Sequence, residues 1–398
     1  MDFQELGVGS QKVNVPLQVS KTSNFDHESK LPVESLQTGR VDGEVQPTAG
    51  INDIGPYIFR LPALENAYYI MNAMTVYVKA KVVRSNGDDL VADDHVAPVN
   101  YLGSVMWEHC EVLLNDRVLY PASGAYTNYK SYLETVLSFD DQARNGFLRA
   151  GLFSLDMPGE FETCQVGANP ANPGFKERHQ VVRRSQIFDV CSGIPADFLR
   201  SENHLCPGNR LTIKLTRASD DFLLIKSAGS PTTYKLKILD VKLNWTAVQL
   251  SDKVPSPKIE RYLMTRTELG VESLPQGLRS KTMTLFTGDK MPKSVIVAML
   301  DSSAFEGSQL SNPLNFKHFS TSSMALKVNG QSVPSQPIRT DFTSNPPLIS
   351  QAYLNLFLQT GSYRQDRGSL ISLAAFQGGS FITAFDLHPD LCKYTSYF

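Results

Sequence analysis

Seven histidines and five cysteines are the residues here best suited to metal binding or nucleophilic chemistry. A metal centre needs several His, Cys or carboxylate ligands brought together. Asp93-Asp94-His95 is one such run, and it reads as a solvated loop. Glu108-His109-Cys110 puts neighbouring side chains on opposite faces of a strand, so the three cannot converge. His204 and Cys206 can share a face but supply two ligands, too few to close a zinc site. No His-x-His pair occurs of the kind a jelly-roll oxygenase would combine with a carboxylate. A Cys–His nucleophile pair would have to be assembled in space by the fold. The G-x-S-x-G elbow and the G-x-x-x-x-G-K-[ST] phosphate loop are both absent. Gly7-Val8-Gly9-Ser10-Gln11-Lys12 lacks the third glycine and a preceding strand. Lys176, Arg178, His179, Arg183 and Arg184 form the one basic run. It has no interleaved aromatics and reads as a solvated edge rather than a phosphate contact. The residues thus point away from an enzyme, and neither cofactor nor metal is expected.

Composition narrows the classes further. Lys and Arg total 38 against 40 Asp and Glu, a net charge of −2. A polybasic nucleic-acid coat would carry the opposite sign, so genome contact is at most local or indirect. With 41% hydrophobic and 20% charged residues over 398 positions, the chain can bury sizeable cores in about two domains. Met1-Asp2-Phe3-Gln4-Glu5 has neither the basic start nor the apolar core of a secretory signal. No apolar run approaches the roughly 18 residues of a membrane-spanning helix. The cysteines, odd in number and widely spaced, read as reduced and packed. Asn244-Trp245-Thr246 fits a glycosylation acceptor in pattern, but it falls in an expected strand.

The elements that would position these residues are mostly strands. Residues 1–50 are polar, acidic and without a sustained period, and they read as an extended arm. Residues 69–83 alternate as a half-buried strand, and Asn86-Gly87-Asp88-Asp89 is turn chemistry. Residues 110–114 and 117–120 flank Asn115-Asp116 as a hairpin. Tyr126, Tyr129, Tyr132, Leu133, Val136 and Leu137 recur at helical spacing. Residues 158–174 form a long Pro/Gly/Asn loop of the sort that serves function or an interface. Strands are expected at 180–190, 210–217, 222–226 and 234–250. Residues 251–258, with Pro255 and Pro257, read as a linker. Strands follow at 282–286, 294–300, 324–328 and 381–385, with a helix at 348–358. Short strands separated by turns, with few helices, indicate sandwiches or barrels.

Several segments then resemble one family. They are Ala97-Pro98-Val99-Asn100, Val112-Leu113-Leu114-Asn115-Asp116, and Tyr132-Leu133-Glu134-Thr135-Val136-Leu137-Ser138. Asn209-Arg210-Leu211-Thr212-Ile213-Lys214-Leu215 and Tyr234-Lys235-Leu236-Lys237-Ile238-Leu239-Asp240 continue the match. The second half adds Ala304-Phe305-Glu306-Gly307-Ser308, Asn312-Pro313-Leu314-Asn315-Phe316-Lys317-His318-Phe319, and Phe385-Asp386-Leu387-His388-Pro389-Asp390-Leu391. In order and spacing, over residues 50–393, these resemble the double jelly-roll major capsid proteins of Polinton/Maverick elements and their adintovirus relatives.

The resemblance implies an all-β chain of two consecutive eight-stranded-type jelly-roll barrels with short inserted helices. It implies an arm at 1–50, a first barrel at 51–250 and a second at 251–398, the second lacking its last strands. Asn100, Asn115, Tyr132, Glu134, Asn315, Phe316, His318, Asp386, Pro389 and Asp390 are the family-motif positions, with structural roles. The implied assembly is a homotrimeric, pseudo-hexagonal capsomer that tiles an icosahedral shell around double-stranded DNA. Its partners would be other copies, neighbouring capsomers, penton and minor capsid proteins. It would work in the virion after assembly inside a host cell. Loops 158–174 and 301–315 would then lie at subunit contacts or on the outer tower, and the arm would lock neighbouring capsomers. A lectin-like jelly roll, or a domesticated copy that no longer assembles, is the alternative.

Overall fold

The computed structural model describes residues 37–120, 126–230, 232–250, 260–262, 264–285, 291–365 and 368–387. Period-two alternation decides the first half. In β9 (Leu211–Arg217), Leu211, Ile213 and Leu215 are buried while Thr212, Lys214 and Thr216 are partly exposed. The other strands are β1 (Gln37–Val45), β2 (Tyr57–Arg60), β3 (Ala67–Tyr69), β4 (Thr75–Arg84), β5 (Val96–Pro98), β6 (Trp107–Leu114), β7 (Arg117–Tyr120), β8 (Phe188–Gly193), β10 (Leu224–Lys226) and β11 (Tyr234–Leu250). Between them lie α1 (Leu102–Val105), α2 (Thr127–Ser138), α3 (Asp141–Asn145), α4 (Pro173–Val182) and α5 (Asp220–Leu223).

One sheet runs β1-β11-β4-β8, with β3 also on β11; the other runs β2-β9-β6-β7. Pairing is antiparallel throughout. Setting aside β3 and the small β5–β10 ribbon, eight strands remain. In chain order, the first sheet is first-eighth-third-sixth and the second is second-seventh-fourth-fifth. This is the jelly-roll order, two Greek keys wrapped into facing sheets. The 17-residue β11 serves both β1 and β4, and a bulge between Ile238 and Asp240 lets it bend while doing so. Trp107, Tyr57, Phe59, Ile213 and Leu243 fill the space between the sheets with almost no exposed area.

The second half holds β12 (Ser294–Ala298), β13 (Ser323–Val328), β14 (Gln331–Arg339) and β15 (Ile382–Asp386). Its helices are α6 (Ser302–Glu306), α7 (Ser350–Gln359) and α8 (Leu373–Gln377). β12 pairs with β15 and β13 with β14. The first half does the same with its third to sixth strands, as β4–β8 and β6–β7. Both inner hairpins turn on two residues of positive φ, Asn115-Asp116 and Asn329-Gly330, as a tight hairpin with the native twist requires. A helix follows each hairpin, α2 and α7. The second half therefore repeats the central four strands of the first. The chain is all-β, of jelly-roll type, with short helices.

Five expectations change. The strand expected at 69–83 is broken by a 3-10 turn at Met71–Ala73, which separates β3 from β4. β1 lies inside the segment read as an arm and pairs with β11, so the first jelly roll starts before residue 51. The strand expected at 180–190 is instead the end of α4, and β8 begins only at Phe188. Asn172 caps α4 by accepting from the Phe175 amide, and Pro173 pre-sets its first turn; these start signals outweigh the apolar run. Residues 222–223 belong to α5, which the Ser219 side chain caps. Residues 282–285 form no strand. The linker at 251–258, the arm up to residue 36, Pro389 and Asp390 lie outside the described residues.

Candidate functional site: the junction between the halves

Asp156 and Arg178 have side chains that are 1% and 0% exposed. Two charges so deeply buried are tolerable only if paired and fully hydrogen-bonded. Arg178 donates through Nη2 to Asp156 (2.8 Å), through Nε to the Pro98 carbonyl (2.8 Å) and through Nη1 to the Ser154 carbonyl (2.6 Å). Asp156 also accepts from the side-chain amide of Asn172 at 2.9 Å, and from that of Asn312 at 3.3 Å. Asn312 comes from the second half, so the carboxylate is shared across the junction.

The 158–174 loop continues the contact. The Asn312 amide nitrogen donates to Glu162 (2.9 Å), its side chain to the Phe161 carbonyl (3.0 Å), and Asn315 to the other Glu162 oxygen (2.8 Å). Lys317 adds an ion pair to Glu162 at 3.8 Å and a tighter one to Asp301. The Gly159 amide donates to the Gly378 carbonyl at 2.6 Å. Gly379, at φ 129°, lies so close that a Cβ there would meet the Phe161 ring at 2.5 Å. A side chain at that position is excluded twice, by conformation and by space.

At a second contact, Gln309 bonds both the amide and the carbonyl of Tyr234, at 3.0 and 2.8 Å, and its own carbonyl accepts from Lys226. Phe305 packs on Tyr126 and Tyr129, with ring centroids 5.1 and 5.8 Å apart. A third contact is buried and ionic. Asp197 pairs with Lys130 and accepts from the Thr267 amide at 3.0 Å. The two halves are thereby held together by buried hydrogen bonds and ion pairs around apolar contacts. Loops 158–174 and 301–315, expected at subunit contacts or on an outer tower, face each other within one chain.

The motif positions divide between this junction and other places. Tyr132 and Phe316, from opposite halves, pack with centroids 6.2 Å apart, and Asn315 sits beside them. Asn100 is fully buried, and its side-chain oxygen accepts from the Ser154 amide at 2.7 Å. Burial pushes the Tyr132 phenol well above its ordinary value, so it stays neutral. Glu134 borders the third contact, pairing with Arg200 at 2.6 Å and with Lys130 at 3.9 Å. Asn115 fixes the β6–β7 turn through Asn209 and Arg210, at 2.7 and 2.9 Å. His318 stacks on Phe342 with centroids 3.7 Å apart, and burial lowers its pKa. The Asp386 amide donates to Gln359 at 2.6 Å. Pro389 and Asp390 are outside the described residues.

Sequence reasoning missed Asp156, Asn172, Gln309 and Glu162, and it misplaced Arg178. The basic run divides: Arg178 and His179 lie with Phe175 and Val182 on the buried face of α4, while Lys176, Arg183 and Arg184 are exposed. The 93–95 run is a loop with Asp93 exposed, but Asp94 is buried. Asp94 accepts from Arg84 Nε and Nη2 at 2.8 and 3.0 Å and from the Tyr234 hydroxyl at 2.8 Å. Burial alone would raise the Asp94 pKa; Arg84, the Val91 amide and Tyr234 outweigh it and hold the carboxyl below its usual range. Burial pushes the Cys110 and Cys164 thiols up to about 12, which leaves both protonated at neutral pH. Among the described residues, no group of three or more His, Cys, Asp or Glu could hold a metal ion. No helix among them is long and apolar enough to cross a membrane.

No family model matches the chain. The uncharacterized protein F54H12.2 of Caenorhabditis elegans is 24% identical over 356 residues, which cover 84% of this chain and 80% of that one. Among solved structures, the Faustovirus major capsid protein aligns at a TM-score of 0.33 and 9% identity over 57% of each chain. A chain of the Sputnik virophage structure aligns at 0.39 and 11% identity, over 64% of this chain and 54% of its own. The mavirus major capsid protein aligns at 0.34 and 12% identity, over 75% of this chain and 56% of its own. The chain thus spans a little over half the length of these solved structures.

Proposed function

We propose that this chain is a structural capsid subunit, a double jelly-roll major capsid protein of the Polinton/Maverick kind. The observation that carries the reading is the repeated strand order: a complete jelly roll in the first half and its four central strands again in the second. The buried junction supports it, because a shell tile needs its two barrels fixed side by side. Three such chains offer six barrels, which is the geometry of a pseudo-hexagonal capsomer. Ile54, Phe147, Ile187 and Leu348 are each more than half exposed and provide apolar surface for contact between copies. An obligate interface of that kind buries more than about 2,000 Å². Neighbouring capsomers, penton and minor capsid proteins are the further partners. With a net charge of −2, contact with a DNA genome is indirect. The place of action is the virion, after assembly inside the host cell.

The lectin-like alternative calls for an exposed aromatic and polar cluster on one concave sheet, where a tryptophan would serve best. Trp107 and Trp245 are instead 0% and 8% exposed. Light scattering on the purified chain, with negative-stain images of the same peak, tests the capsid reading. The expected result is a mass three times that of the chain and a hexagonal outline. A monodisperse monomer would overturn it and favour a copy that does not assemble.

A further inference from the structure

In the first half, β4 is flanked by β8 on one side and β11 on the other. Its counterpart β12 has β15 on one side and, among the described residues, no strand on the other. The difference shows in burial. Val76, Val78, Ala80 and Val82 of β4 are at most 1% exposed. In β12, Val295 and Val297 are only partly covered, and Ile296 is 41% exposed. An unpaired edge with an uncovered apolar face is a template for strand addition.

We propose that the free edge of β12 is a strand-docking site occupied by residues 13–19 of the same chain, antiparallel to β12, as β11 lies beside β4. Those residues lie outside the described ones; their sequence is Val13-Asn14-Val15-Pro16-Leu17-Gln18-Val19. It alternates strictly, with four apolar residues on one face, within a segment that is otherwise polar. The proline fits as well. Successive residues of a strand point their backbone groups to opposite sides, so turning residues 13, 15, 17 and 19 toward β12 leaves Pro16 on the outer side. No ladder bond is required there.

The chain's path provides the reach. Gln37, where β1 begins, pairs with Leu250, the last residue of β11. The N-terminal segment therefore leaves the first half beside the point where the chain departs for the second. Residues 20–36 can span roughly 55–60 Å when extended. A tether of that length keeps the strand at a local concentration of about millimolar, so the chain's own edge competes well against another copy's.

Hydrogen exchange on the full-length chain tests this. Val15→Asp combined with Leu17→Asp puts carboxylates on the inward face; Asn14→Asp combined with Gln18→Asp puts them on the outward face. In the inward variant the amides of residues 294–298 should exchange at least roughly tenfold faster, while those of residues 75–84 keep their protection. The outward variant should match the parent. A synthetic peptide of residues 11–21, added to a chain lacking residues 1–36, should restore protection at 294–298. Equal exchange at 294–298 in all variants would overturn the proposal. So would protection that rises with protein concentration, since that would assign the strand to a second copy. The readout is independent of trimer formation, so it stands or falls apart from the capsid reading.

Discussion

At the scale of single residues, the Asp156–Arg178 pair shows how burial turns an ion pair into a structural commitment. Removing one partner leaves the other charged and dry. Asp156→Ala should cost about 3–5 kcal/mol, because Arg178 stays buried and Asn172 and Asn312 lose their acceptor. Asp156→Leu with Arg178→Met should recover most of that loss, since an apolar pair needs no desolvation. Urea unfolding of the two variants checks this; a double variant as weak as the single one would refute it. His179 supplies a pH dependence. Burial lowers its pKa first of all, the His95 ring 6.0 Å away adds repulsion, and the bond to the Val96 carbonyl only partly offsets them. A histidine with a depressed folded pKa binds its proton more readily when unfolded. Its contribution is complete above the unfolded value of about 6.5 and fades as pH falls below it. Thermal stability should thus decline between pH 7 and 5, and less steeply in His179→Gln. The Arg178 role was partly legible. Once Asn172-Pro173 is taken as a helix start, Phe175, Arg178 and Val182 fall on one face. What no spacing reveals is the acceptor, 22 residues earlier on a loop.

At the scale of elements, edges and turns carry the information. β1 is an edge strand held on β11 by a close approach, in which a Cβ on Gly43 would lie 2.3 Å from the Trp245 ring. Gly43→Val should therefore push β1 off the sheet and cost about 1–3 kcal/mol. Faster exchange of the amides at 37–45, with those of β4 unchanged, is the expected signature. The helices α2 and α7 and the β6–β7 hairpin follow from local rules, apolar spacing of three and four and an Asn-Asp turn. The first strand does not. Its sequence, Gln-Thr-Gly-Arg-Val-Asp-Gly-Glu-Val, has low strand propensity and looks like arm. It becomes a strand because β11, about 200 positions away, offers an unpaired edge and Trp245 a surface that glycine fits.

At the scale of the whole molecule, the question is whether the halves unfold as one. Asn312 reaches Asp156, Phe161 and Glu162 from across the junction and is 0% exposed. Asn312→Ala removes two of these ties, those of its side chain to Asp156 and to the Phe161 carbonyl, and leaves buried acceptors behind, while its main-chain bond to Glu162 stays. Calorimetry of the parent should give one transition; the variant should give two, with the second half melting first because less of its surface is covered. A single unchanged transition would mean that the aromatic and Gln309 contacts suffice.

Sequence alone determined the class of structure: strands by alternation, helices by three-and-four spacing, turns by their Asn, Asp and Gly residues, and a nearly neutral chain. These are local properties, set by sterics and by periodic burial within about a dozen residues. Tertiary structure alone decided the rest. It set which strands neighbour which, that loops 158–174 and 301–315 meet inside one chain, and that Arg178 is buried. It also showed that the second half repeats the central strands of the first without visible sequence repetition. Such pairings join residues 22 to more than 150 positions apart. They depend on shape and on which buried polar group needs a partner, and neither leaves a period in the chain.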